Sequence, residues 1–172
     1  MARNVEIKAR IENINSIFSK AASLADKGPV EILQDDTFFA CPNGRLKLRA
    51  FSSEKGELIF YRRSDQSGPK ESFYVISPAN SPDTLREALS LAYGQAGRVR
   101  KNRTLFLVGR TRIHLDRVEA LGDFLELEVV LADGENLETG EAIAQDLMEK
   151  LGIQPDQLID GAYVDLLTLT TI

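Results

Sequence analysis

Cysteine and histidine are nearly absent from this chain: of 172 residues, one is cysteine, Cys41, and one is histidine, His114. A single cysteine excludes an internal disulfide and fits a reducing compartment. It precedes Pro42 in a turn and reads as structural. Long apolar runs are missing too, and no secretory leader is recognisable. A cytoplasmic protein without a membrane partner is therefore expected. There is no excess of base. The net charge is -5 and the pI about 5.0, so nothing draws the whole chain towards nucleic acid. Low-complexity segments and long repeats are also lacking. What is present is ordinary for a soluble globular protein, with 43% hydrophobic and 27% charged residues. One domain spanning residues 1–172 is the simplest reading.

The charges are unusual in their placement. In Phe124 to Leu131, F-L-E-L-E-V-V-L, strand alternation puts Glu126 and Glu128 on one face. Leu125, Leu127 and Val129 take the other. Two like charges roughly 7 Å apart along one strand repel unless bases or cations lie opposite. The same pattern recurs. Asn4, Glu6, Lys8 and Arg10 alternate with Val5, Ile7, Ala9 and Ile11. Arg45, Lys47 and Arg49 alternate with Leu46 and Leu48. Arg110, Arg112, His114 and Asp116 alternate with Ile113 and Leu115, and Lys101 shares a parity with Arg103. If these strands close into one barrel, the charged faces can all point inward. The apolar faces then point outward and need helices to cover them.

Taken in order, strands are expected at 3–12, 30–39, 45–51, 57–63, 71–76, 98–108, 110–115 and 123–131. Helices are expected at 13–27, 81–93 and 138–151, with a helical turn at 154–159 and a terminal helix at 163–169. Loops cover 64–70 and the connection 116–122. Strands dominate and run mostly as consecutive hairpins. The fold class is α+β: an antiparallel eight-stranded β-barrel with helices packed outside. A wall left bare of helix is compatible with a homodimer.

A lumen with many bases and a few carboxylates suits an anion of several charges that shares a hard divalent cation with the protein. Arginine offers phosphate oxygens planar bidentate contacts, and lysine a movable point charge. The guest is a small-molecule polyphosphate or nucleotide, with Mg2+ or Mn2+ as cofactor.

N-x-E-x-K at Asn4, Glu6 and Lys8 resembles the N-terminal E-x-E-x-K signature of the CYTH superfamily, the triphosphate tunnel metalloenzymes. G-R-L-K-L-R (44–49), V-R-K-N-R (99–103), H-L-D (114–116) and L-E-L-E (125–128) are similar to further family motifs in the same order. The run from Arg112 through Glu128 is most similar to the class IV adenylyl cyclase branch, with thiamine triphosphatases nearby. The resemblance implies a tunnel that binds a triphosphate beside divalent ions. It implies Glu6, Glu126 and Glu128 as metal ligands, with Asp116 as a further ligand or a partner of a metal-bound water. Lys8, Lys47, Arg49, Lys101 and Arg103 would hold phosphates, with Arg62 and Arg112 as additional bases. It leaves three activities open: ATP cyclisation, triphosphate hydrolysis, and polyphosphate or nucleotide sensing without turnover. Metal-activated phosphoryl chemistry needs no histidine, so His114 is expected to be a hydrogen-bonding group rather than a general base. The family's first glutamate is Asn4 here, which can ligate but brings no charge. Tyr61 and Tyr74 are expected to pack between strands.

Overall fold

The structure, a computed structural model, describes residues 2–63 and 68–170, and the side chains of all of these except 169 and 170. Eight antiparallel strands form a closed ring, β1 (Ala2–Arg10), β2 (Lys27–Phe39), β3 (Arg45–Ala50), β4 (Gly56–Arg63), β5 (Lys70–Ala79), β6 (Gln95–Val108), β7 (Thr111–Val118) and β8 (Gly122–Val130). Around the ring they run β1-β5-β4-β3-β2-β6-β7-β8 and back to β1. Helices α1 (Ile14–Leu24), α2 (Pro82–Tyr93), α3 (Leu137–Leu151) and α4 (Tyr163–Thr170) follow β1, β5 and β8, with a 3-10 turn at Pro155–Gln157 before α4. The loop expected at 64–70 lies largely outside the described residues.

The barrel is inverted relative to a common soluble sheet, as the alternation requires. Val5, Ile7 and Ala9 of β1, Ile113 and Leu115 of β7, and Leu125, Leu127 and Val129 of β8 are fully buried, and they face outward. Helices α1 and α3 cover them with Ile14, Ile17, Ala21, Ala144, Leu147 and Leu151. Each fully buried side chain of this size contributes about 1.5–3 kcal/mol, so this outer layer is the main core. The Asn13 side chain caps α1 by accepting from Asn15 N at 2.7 Å, and Gly152 ends α3 in the left-handed region at φ 74°.

Helix α3 sits close to the sheet at Gly140. A Cβ there would meet Val5 Cγ2 at 2.7 Å and Leu131 Cδ2 at 2.8 Å. Gly140→Ala is therefore expected to destabilise the fold by about 1–3 kcal/mol, despite alanine's better helix propensity. A thermal melt checks this, and an unchanged or raised Tm would contradict the close packing.

Several boundaries differ from expectation. β2 begins at Lys27, because Gly28-Pro29 does not merely stop α1. Gly28 passes against β6, where a Cβ would lie 2.6 Å from Leu105 O. β7 starts after a turn at Gly109-Arg110, so Arg110 is outside and pairs with Glu135 at 2.6 Å. β7 continues to Val118, so Asp116 is a strand residue rather than the start of a loop. Among the described residues, no helix is long and apolar enough to cross a membrane.

Candidate active site

The strands tilt, so side chains level along the barrel axis are offset by two residues from their hydrogen-bonded partners. Following this register around the ring stacks the inward side chains in four tiers. The deepest holds Lys8, Phe38, Arg63, Lys70, Val99 and Phe124. Next come Glu6, Asp36, Lys47, Lys101, Asp116 and Glu126. The third holds Asn4, Gln34, Arg49, Arg103, His114 and Glu128. The mouth holds Ile32, Phe51, Glu57, Ile76, Leu105 and Arg112. The tiers surround a cavity of about 300 Å3.

Helix α4 closes the deep end. The Tyr163 hydroxyl donates to Asp116 Oδ2 at 2.8 Å, and its ring lies 4.0 Å beneath Lys8 Nζ and 4.9 Å from the Phe124 ring. Lys70 Nζ donates to Asp160 O at 2.9 Å on the segment leading into α4.

Four of the bases share one wall with a single carboxylate, Asp36. Lys47 and Arg49 of β3 and Lys101 and Arg103 of β6 flank β2. They gather around Asp36, which is 1% exposed. Arg49 donates to both Asp36 oxygens at 2.8 Å, Lys101 to Oδ2 at 2.8 Å, and Lys47 stands 3.8 Å away. Burial would raise the Asp36 carboxyl, but these three cations hold it well below the usual range. Across the lumen, Glu6 and Glu128 are cross-strand partners on β1 and β8. Arg63 donates to Glu6 at 2.9 Å, Arg112 to Glu128 Oε2 at 3.1 Å, and Glu126 has looser ion pairs with Arg103 at 3.5 Å and Lys8 at 3.7 Å. Burial would raise Glu126 too, yet Lys8 and Arg103 keep it ionised.

Of the residues singled out in the sequence, Glu6, Lys8, Lys47, Arg49, Lys101, Arg103, Arg112, Glu126 and Glu128 all line this cavity. Two assignments change. Arg62 points outward, where its guanidinium covers Phe60 and Phe73 at 5.5 and 5.6 Å from the ring centres. Arg63 takes the inward parity in its place. Asp116 lies outside the group that Glu126, Glu128 and His114 form, with both oxygens occupied: Arg103 donates to each at 2.7 Å, and Tyr163 donates to one. The Asp36 and Lys70 side chains were not expected from the sequence, in which the Arg62-Arg63 pair left the inward parity open. Gln34, Asp36 and Phe38 share a parity that could have revealed the first of these. Tyr61 and Tyr74 line the lumen rather than packing between strands, and Tyr61 lies 5.0 Å from Lys47 Nζ.

Ligand atoms of Glu126, Glu128 and His114 lie within 4.8 Å of one another. Two carboxylates and a ring nitrogen are a donor set that fits a divalent cation. The opposite wall fits phosphate.

Burial, reinforced by Arg49, lowers Lys47 to about 7, and burial lowers Lys101 to about 8. The unfolded chain holds these protons up to about 10.5, so folding stability rises with pH through Lys47 from about 7 and through Lys101 from about 8, up to about 10.5. A polyanion in the lumen favours the charged lysines and recovers their protons. Tripolyphosphate affinity is therefore expected to fall from about pH 7 to about pH 9, with net proton uptake on binding near pH 8. Calorimetry in two buffers of different ionisation enthalpy measures the uptake, and none would contradict it.

The fold is a closed eight-stranded barrel around a charged tunnel. The chain belongs to the CYTH domain family, whose model matches residues 2–163. It is 25% identical over 166 residues to the adenylate cyclase CyaB of Aeromonas hydrophila, covering 92% of this chain and 85% of that one. Among solved structures, the PH1012 protein of Pyrococcus horikoshii OT3 superposes with a TM-score of 0.83 at 25% identity, covering 95% of this chain and 98% of that one. HpAC1 of Hippeastrum, which has a dominant triphosphatase activity, superposes with a TM-score of 0.64 at 14% identity, covering 99% and 96%. The last likeness is one of fold.

Proposed function

We propose that the tunnel takes ATP with Mg2+ or Mn2+ and converts it to cyclic AMP and pyrophosphate. The observation that carries this reading is the mouth tier. Ile32, Phe51, Ile76 and Leu105 give the mouth apolar surface beside Glu57 and Arg112, and Ile76 is 45% exposed. A bare tripolyphosphate has no use for such a surface, whereas a nucleotide base can bury its faces there. The similarity to a cyclase from Aeromonas hydrophila agrees.

In this reading Lys47, Arg49, Lys101 and Arg103 hold the triphosphate along one wall, with Lys8 below and Arg112 at the mouth. Glu6, Glu126 and Glu128 hold the cation on the other. A bound divalent ion supplies charge neutralisation and acidifies the ribose 3′-hydroxyl. The 3′-oxygen bonds to the α-phosphorus, the bond to the bridging oxygen breaks, and pyrophosphate leaves. The arginines stabilise charge gathering on that leaving group. Asp116 and Tyr163 position Arg103 without touching substrate. Lys47, Arg49, Lys101 and Arg103 would hold tripolyphosphate as well as ATP, which leaves hydrolysis as the second reading.

Product analysis separates them. The chain is incubated with ATP and with tripolyphosphate, each with Mg2+ or Mn2+. Cyclic AMP and pyrophosphate are the expected products. Orthophosphate alone would overturn cyclisation in favour of hydrolysis, and binding without turnover would make the protein a sensor.

A further inference from the structure

Three buried side-chain atoms among the described residues lack a hydrogen-bond partner: Asn4 Oδ1, Gln34 Oε1 and His114 Nδ1. All three project into the third tier. Two of them, Asn4 on β1 and His114 on β7, each stand two residues along from the register partners of Glu128, Glu6 and Arg112, on the strands either side of β8. Asn4 is 3% and His114 5% exposed. Native interiors rarely leave such acceptors unpaired, and a pair of them beside a carboxylate is what a cation site looks like before the cation binds.

We propose that His114 Nδ1 and Asn4 Oδ1 are metal ligands on either side of Glu128, making the divalent site a mixed nitrogen–oxygen site that prefers Mn2+ to Mg2+. The inference rests on the proposed reading that Glu126 and Glu128 hold a cation.

Glu128 is divided suitably. Its Oε2 accepts from Arg112, while Oε1 faces His114 Nδ1 at 3.8 Å. That gap is too long for a hydrogen bond. Donors each about 2.1 Å from one ion stand roughly 3.0 to 4.2 Å apart, depending on the angle, so the gap suits a shared cation. Glu126 completes the group. In the tautomer with its proton on Nε2, Nδ1 offers a lone pair to a cation held by the carboxylates. Mg2+ prefers all-oxygen shells, whereas imidazole nitrogen suits first-row transition ions. Asn4, standing where the family places a glutamate, lowers the site's negative charge. That weakens attraction for any hard cation and leaves selectivity to the nitrogen.

The test is pulsed electron paramagnetic resonance of the full chain loaded with Mn2+ alone. Because His114 is the only histidine, labelling with 15N-histidine marks one residue. Nitrogen modulation that changes on labelling is the expected result. His114→Gln, or His114→Asn should the first variant not fold, is expected to lose that modulation. Either should weaken Mn2+ by about tenfold or more while leaving Mg2+ nearly unchanged in competition titrations, since even groups behind the ligands cost that much. Mn2+ bound in the tunnel without label-sensitive modulation would overturn the inference and leave the proposed activity standing, as would an unchanged Mn2+ to Mg2+ ratio in the variant. Failure of Mn2+ to bind at all would overturn both.

Discussion

Asp116→Ala is expected to destabilise the protein by about 3–5 kcal/mol, enough to unfold a large fraction of a marginally stable domain. The reason is the company Asp116 keeps. Its carboxylate is fully buried and accepts two hydrogen bonds from Arg103, itself 5% exposed, and one from Tyr163. Removing it leaves a buried guanidinium with only Glu126 nearby, at 3.5 Å. It also removes the polar tie between the barrel wall and α4. Asp116→Asn keeps one acceptor and is expected to cost less. Urea denaturation of the two variants measures the difference. If Asp116→Ala unfolded with the native midpoint, Asp116 would not be the anchor of the closed end, and its assignment to the metal would regain its appeal.

Glu128→Gln is expected to lower metal-dependent turnover by at least about a hundredfold, or about 2.7 kcal/mol or more in the barrier. The amide matches the carboxylate in shape and can still accept from Arg112, so folding should survive. The lost quantity is charge. Glu128 faces Glu6 across the β1–β8 pairing and lies beside Glu126, so the site's attraction for a cation depends on having several carboxylates together. Initial rates at saturating Mn2+, with a melting curve to confirm the fold, decide the matter. Native turnover in this variant would remove Glu128 from the metal.

Much of this was legible from strand alternation. Charged residues at every second position in β1, β3 and β8 fixed which faces had to meet, and the helices followed from apolar faces in need of cover. Legibility failed where a strand carries two polar residues in succession. Arg62-Arg63 and Asp35-Asp36 each put one member inside, and only closure of the ring decides which. Arg62 then reads as a cover for two phenylalanines, and Arg63 as the partner of Glu6. Asp116 was misread because aspartate before a glycine-containing stretch resembles a turn former. The strand continues because residues 116–118 pair with both β6 and β8, and the partner of its side chain, Tyr163, is 47 positions away. The unpartnered nitrogen of His114 is likewise invisible in one dimension, since it depends on three strands arriving side by side.

A crystal structure with tripolyphosphate and Mn2+, with anomalous data collected at the manganese edge, tests the account most directly. The account predicts a manganese peak beside Glu126 and Glu128, and phosphates between it and Lys47, Arg49, Lys101 and Arg103. An anomalous peak outside the tunnel, or phosphates bound on the outer wall, would contradict it.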